Sequence, residues 1–96
     1  MSKRRSRLEI ILTILEAIRD GVDKPTRIMY AANMSWEPVQ RILSRLVEQG
    51  LVLELPNTRS RQSKKRYQIT EKGEKIIEYF NGASEILAIE ELFARD

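Results

Sequence analysis

Residues 36–49 hold the side chains whose types and spacing best suit them to chemistry. Val39, Ile42, Leu43, Leu46 and Val47 recur at i, i+3 and i+4, so they share the inward face of a helix. Gln40, Arg41, Ser44 and Arg45 then lie together on the outer face, one turn apart. None of these is an activated nucleophile or a general base. What they offer is fixed positive charge and paired hydrogen-bonding edges. A glutamine matches adenine and an arginine matches guanine in the major groove of a duplex, while serine accepts several partners. Two arginines on an exposed helix would by themselves be ordinary solvated residues. Their surroundings argue for more: Lys24 and Arg27 open the preceding helical segment, and Arg59, Arg61, Lys64, Lys65 and Arg66 place five basic residues among the eight of 59–66. Each cation that neutralises a phosphate releases counterions, giving salt-dependent affinity, and cationic side chains are drawn to a narrow minor groove.

The composition removes other chemistries. Among 96 residues there is no cysteine and no histidine. Disulfides and thiolate nucleophiles are therefore excluded, and the commonest general base and metal ligand are missing together. The carboxylates form no suggestive cluster, so no enzyme, no cofactor, no metal and no small-molecule ligand is expected. No apolar run approaches the ~18 residues of a membrane span. The basic N-terminus leads into an amphipathic segment and does not read as a signal peptide. A soluble, cytoplasmic, nucleoid-associated protein without a membrane partner is the expectation. The net charge of +3 conceals an asymmetry: residues 1–70 hold fourteen Lys and Arg against seven Asp and Glu, and residues 71–96 hold three against seven. One part of the chain is thus suited to face a polyanion and the other is not.

The positioning elements are marked by their ends. Leu8, Ile11, Leu12, Leu15 and Ile18 recur at helical spacing, with Ser6 as N-cap and Gly21 just past the end. Ile10 and Ile14 widen that stripe, which suggests a second contact surface. Pro25 suits the first turn of a short helix that Asn33 can terminate, and Ser35 caps the helix from Trp36 to Gln49, which Gly50 stops. Trp36, at the helix start, either stacks on a sugar-phosphate edge or plugs the core, and the core is the preferred place for part of its ring. Leu51–Leu55 and Tyr67–Ile69 read as the strands of a hairpin with a long tip, and Thr70 caps a further helix. In the last stretch Ile76, Tyr79, Phe80, Ala83, Ile86 and Leu87 make one stripe, but Ile89 and Leu92 drift off it. A break at Asn81-Gly82, with Ser84 capping a separate helix, restores the phase and is the preferred reading.

The order helix, helix, helix, strand, wing, strand, helix is that of a winged helix-turn-helix, mainly α with a small β-hairpin. The expected organisation is a basic arm over 1–6, the winged-helix domain over 7–80 with its wing at 56–66, and a helical extension over 81–96. The arm, with Lys3, Arg4 and Arg5, is equally consistent with DNA contact and with a solubilising tail. The segments "RSRLEIILTILEAI", "TRIMYAANMS" and "YQITEKGEKII" resemble small archaeal winged-helix DNA-binding proteins, typified by a Sulfolobus chromatin-associated family, over roughly residues 4–78. That resemblance implies a DNA-binding homodimer paired through an antiparallel coiled coil of C-terminal helices. Two features depart from it: the interruption at 81–84 and a longer, more basic wing. A dimer interface is expected to include Ile10, Ile14, Tyr79, Ile86, Ile89, Leu92 and Phe93. The expected partner is double-stranded DNA, bound by helix 36–49 and wing 59–66 in transcriptional regulation or DNA architecture. A protein–protein module within a larger assembly is the alternative. RNA is less well served, since no aromatic residue lies between Pro56 and Arg66 to stack on bases.

Overall fold

The computed structural model describes residues 6–58 and 65–94, with side chains to residue 83. Its elements run α1 (Arg7–Arg19), α2 (Pro25–Ala32), α3 (Trp36–Glu48), β1 (Val52–Pro56), β2 (Lys65–Ile69) and α4 (Glu71–Ala94). The expected winged-helix order is the one observed.

Local chemistry sets most of the boundaries. Ser6 caps α1 by accepting from the Glu9 amide at 3.1 Å, and its hydroxyl donates to Glu9 Oε1 at 3.3 Å. Past the end of α1, Gly21 takes φ +101°, a region where a side chain is strained. Pro25 begins α2, and Asn33 ends it in the left-handed conformation at φ 54°. Ser35 stands at the N-cap of α3 with extended backbone angles, but its hydroxyl makes no cap hydrogen bond.

One core sits where α1, α2, α3, the hairpin and the start of α4 converge. Ile14, Leu15, Ile18, Ile28, Ala32, Val39, Leu43, Leu46, Leu51, Val52, Tyr67 and Ile77 are buried in it. The expected core positions of α3 divide: Val39, Leu43 and Leu46 are buried, while Ile42 and Val47 pack at its margin. β1 and β2 pair antiparallel, Val52 with Ile69 and Glu54 with Tyr67. The Tyr67 amide also donates to the Asp23 carbonyl at 2.9 Å, which fastens the α1–α2 connection along the free side of β2.

Two expectations are corrected. First, the chain does not break at Asn81-Gly82: α4 is one helix of 24 residues, and Ser84 caps nothing because it lies inside it. A mid-helix glycine costs only about 1 kcal/mol relative to alanine, less than restarting a helix. Apolar phase was a poor guide because α4 leaves the core after its first turns, so the rest need not keep one inward stripe. Its buried contacts are Gly73 and Ile77, with Ile76 and Phe80 partly covered. The radius of gyration, 15.5 Å, exceeds the ~12–13 Å of a compact chain this long, in keeping with a projecting helix. Second, Ile14 is fully buried in the protomer's own core and has no surface to give a partner; Ile10 is only partly covered.

Candidate nucleic-acid interface

The geometry of α3 follows from its anchoring. Val39, Leu43 and Leu46 fix its inner side, so rotation about the helix axis is set. Arg41, Ser44 and Arg45 are consequently exposed on the outer side. Neither arginine has an ion-pair partner among the described residues, whose three ion pairs join Arg19–Asp20, Lys65–Glu54 and Lys75–Glu71. Arg27 is likewise exposed and unpaired on α2, and Lys24 is half-buried at the N-cap of that helix. The guanidiniums of Arg27, Arg41 and Arg45 are therefore available to an external anion.

Gln40 departs from the expected outward placement. It is half-buried, and its amide Nε2 is sealed from solvent with no hydrogen-bond partner among the described residues. Trp36, the first residue of α3, is 47% exposed and is not among the residues that form or flank the core.

The middle and loop end of the hairpin carry a side-chain cluster that sequence spacing does not reveal. The Tyr67 hydroxyl donates to Glu54 Oε2 at 3.2 Å across the strands. Lys65 Nζ reaches the other carboxylate oxygen, Oε1, at 3.6 Å. Glu54 and Tyr67 are directly opposed in the register, and Lys65 is the diagonal neighbour of Glu54. Burial, followed by the Glu54 charge and its hydrogen bond, pushes the Tyr67 hydroxyl up to about 12. Lys65 thus works first within the hairpin, whereas Arg66, on the opposite face of β2, is exposed. Arg59, Arg61 and Lys64 lie outside the described residues, as do Lys3, Arg4 and Arg5.

A second cluster joins the hairpin to α4. The Thr70 hydroxyl donates toward the Gly50 carbonyl at 2.7 Å and the Leu51 carbonyl at 3.0 Å, and accepts from the Gly73 amide at 3.0 Å. Thr70 is thereby the N-cap of α4, as expected. Lys72 Nζ donates to the Gln49 carbonyl at the end of α3. A Cβ at Gly73 would collide with the Leu51 carbonyl oxygen and lie 2.7 Å from Ile69 Cδ1. The sequence signal was a glycine in the first turn of a helix, where nothing about the helix itself asks for one.

On α4, Tyr79 is 71% exposed and its ring meets Phe80 edge-on at 5.5 Å. For Ile86, Ile89, Leu92 and Phe93 only the helical backbone is described. Among the described residues no group of carboxylates could hold a metal ion, and no helix is long and apolar enough to cross a membrane.

A family model described as winged helix-turn-helix matches residues 4–88. A protein of Methanocaldococcus jannaschii is 33% identical over 73 residues, covering 76% of this chain and 67% of its own length. A second from the same organism is 31% identical over 77 residues, covering 80% of this chain and 33% of its own length, so this chain spans about a third of that relative. Among solved structures, a DNA-binding protein from Sulfolobus solfataricus superposes with a TM-score of 0.66 at 24% identity, over 94% of each chain. MepR, a transcription regulator of the Staphylococcus aureus multidrug efflux pump MepA, gives a TM-score of 0.75 at 16% identity, over 91% of this chain and 64% of its own. At these identities the likeness is one of fold. The resemblance to archaeal winged helices read from the sequence is borne out.

Proposed function

The chain belongs to the winged helix-turn-helix family, and on that premise we propose that it binds double-stranded DNA as a regulator or architectural protein, without acting chemically on it. The observation that carries this reading is the placement of Arg41, Ser44 and Arg45: exposed, with no ion pair to either arginine among the described residues, on a helix whose opposite side is locked into the core. A helix so held enters the major groove as a rigid body, with arginines suited to guanine edges. Arg27 and Lys24 meet the flanking phosphates. The wing, with Arg66 and Lys65 at its base and Arg59, Arg61 and Lys64 from the sequence, holds the backbone or an adjacent minor groove. The description of the Sulfolobus neighbour as DNA-binding supports the same reading.

The chain acts as a homodimer in this proposal. α4 extends beyond the core and presents Tyr79, and the sequence places Ile86, Ile89, Leu92 and Phe93 further along it. The uninterrupted helix supports pairing along its length, as the archaeal resemblance implies. Ile14 takes no part; Ile10 remains a candidate at the edge of the core. Nucleoid association follows from DNA binding.

A gel shift with random duplex at low salt tests the reading. Wild-type protein should retard the duplex, with affinity falling linearly in log salt at a slope near −0.9 per phosphate neutralised. Arg41→Glu combined with Arg45→Glu should weaken binding by about a hundredfold or more while leaving the fold intact. Unchanged duplex mobility at micromolar wild-type protein would overturn the proposal. If the charge-reversed variant bound normally, α3 would not be the reading element.

A further inference from the structure

We propose that Trp36 and Gln40 together form the base-reading head of α3, and that they select an A·T pair. This rests on the DNA-binding reading above. Trp36 is the first residue of the helix, and Gln40 and Ser44 follow it at intervals of four, so the three line one flank. In winged helices of this kind the leading residues of the third helix reach base edges first. Side chains on a helix lean back toward its N-terminus, which aims the Gln40 amide at the turn that Trp36 opens.

Both side chains are incomplete in the free protein, in complementary ways. Trp36 leaves about half its surface in water, although large aromatic side chains are mostly buried in folded proteins. The Gln40 Nε2 donor is sealed without an acceptor among the described residues, a state that native interiors rarely tolerate. An adenine offers what the amide lacks: N7 accepts from Nε2 while the N6 amino group donates to Oε1. The thymine paired with that adenine carries a C5-methyl in the same groove, an apolar surface for an indole. One base pair therefore completes both residues. On docking, the indole moves onto the methyl group and the amide turns from its sealed position onto the purine. Arg41 and Arg45, further round the helix, remain free for guanine or phosphate.

Trp36 is the only tryptophan in the chain, so its fluorescence reports on the surroundings of this one residue. A duplex titration followed in parallel by tryptophan emission and by anisotropy of a labelled strand should give coincident curves, with the emission quenched or shifted. Selection from a random pool should enrich an A·T pair at one fixed position. Gln40→Ala should lose that preference by about tenfold, measured against its own affinity for random duplex. Its melting temperature should equal or exceed that of wild type, because the orphaned donor is gone. Trp36→Ala should relax the same position and no other. A complex that forms with unchanged tryptophan emission, or a Gln40→Ala pool identical to wild type, overturns this proposal and leaves DNA binding standing. Absence of any complex by anisotropy overturns both.

Discussion

Gly73→Ala should destabilise the protein, although alanine is the better helix former. In an unobstructed helix the exchange gains about 1 kcal/mol. At Gly73 the new methyl would meet the Leu51 carbonyl oxygen and sit 2.7 Å from Ile69 Cδ1. The isoleucine can turn aside, but the carbonyl belongs to the backbone at the entry to β1 and cannot. Relief requires α4 to retreat from the sheet. That retreat stretches the Thr70 amide to Leu51 carbonyl bond of 3.2 Å and the Thr70 hydroxyl bond of 3.0 Å to the same oxygen. Overpacking of this kind costs about 1–3 kcal/mol, and two weakened hydrogen bonds add roughly 1 kcal/mol. Set against the helix-propensity gain, the net loss is about 2 kcal/mol, or roughly 10 °C in melting temperature for a domain this size. Gly82→Ala supplies the contrast in the same helix. Nothing lies within 4 Å of its added Cβ, so the variant should gain up to about 1 kcal/mol. Thermal unfolding followed by circular dichroism, at one protein concentration, measures both. An unchanged or raised melting temperature for Gly73→Ala would refute the close approach of α4 to the hairpin base.

Ile14→Ala should cost about 2–5 kcal/mol whatever the protein concentration, because its side chain is fully buried within one protomer; a loss that vanished on dilution would return Ile14 to an interface. Thr70→Ala should lower stability by about 1–2 kcal/mol in chemical denaturation, through loss of the α4 cap and of the tie to the Gly50 and Leu51 carbonyls. Alkaline titration should find one of the three tyrosines ionising late, at about 12, and Tyr67→Phe should remove that step. The folded pKa lies above the ordinary value of 10, so this contribution to stability is complete below pH 10 and is lost as pH rises from 10 to 12. Wild type should therefore lose stability faster than Tyr67→Phe across that window. Tyr79→Glu should shift sedimentation toward the monomer without lowering helix content, since its side chain is 71% exposed on the protomer; a dimer unaffected by the new charge would remove Tyr79 from the interface.

Legibility from sequence followed the range of the interaction concerned. Helix ends are local events, and Ser6, Pro25, Asn33, Gly50 and Thr70 stand at or just beyond the boundaries their chemistry suggests. The outward face of α3 was readable as well, because five apolar residues at helical spacing leave Arg41, Ser44 and Arg45 only one direction. What depended on contacts distant in sequence was not readable. Glu54 and Tyr67 become partners only through strand register. Ile77 is a core residue one turn after Gly73, on a face of α4 that the stripe of Ile76, Tyr79 and Phe80 leaves out. The expected break at Asn81-Gly82 does not occur for a related reason: it rests on keeping one apolar stripe in phase, and beyond the core α4 has no inward stripe to keep. Periodicity places Gln40 outward, yet it lies on the flank of the apolar stripe and is half-buried.

The close junction at Thr70 also ties the hairpin directly to α4. β2 ends at Ile69 and α4 starts at Glu71, with Thr70 alone between them and bonded to both sides. At ~1.5 Å per residue the helix is a lever about 36 Å long, and a tilt of only ~5° at its root carries its far end through about 3 Å. A load on the distal end of α4 would therefore bear on the Thr70 junction as well as on α1, against which α4 also packs.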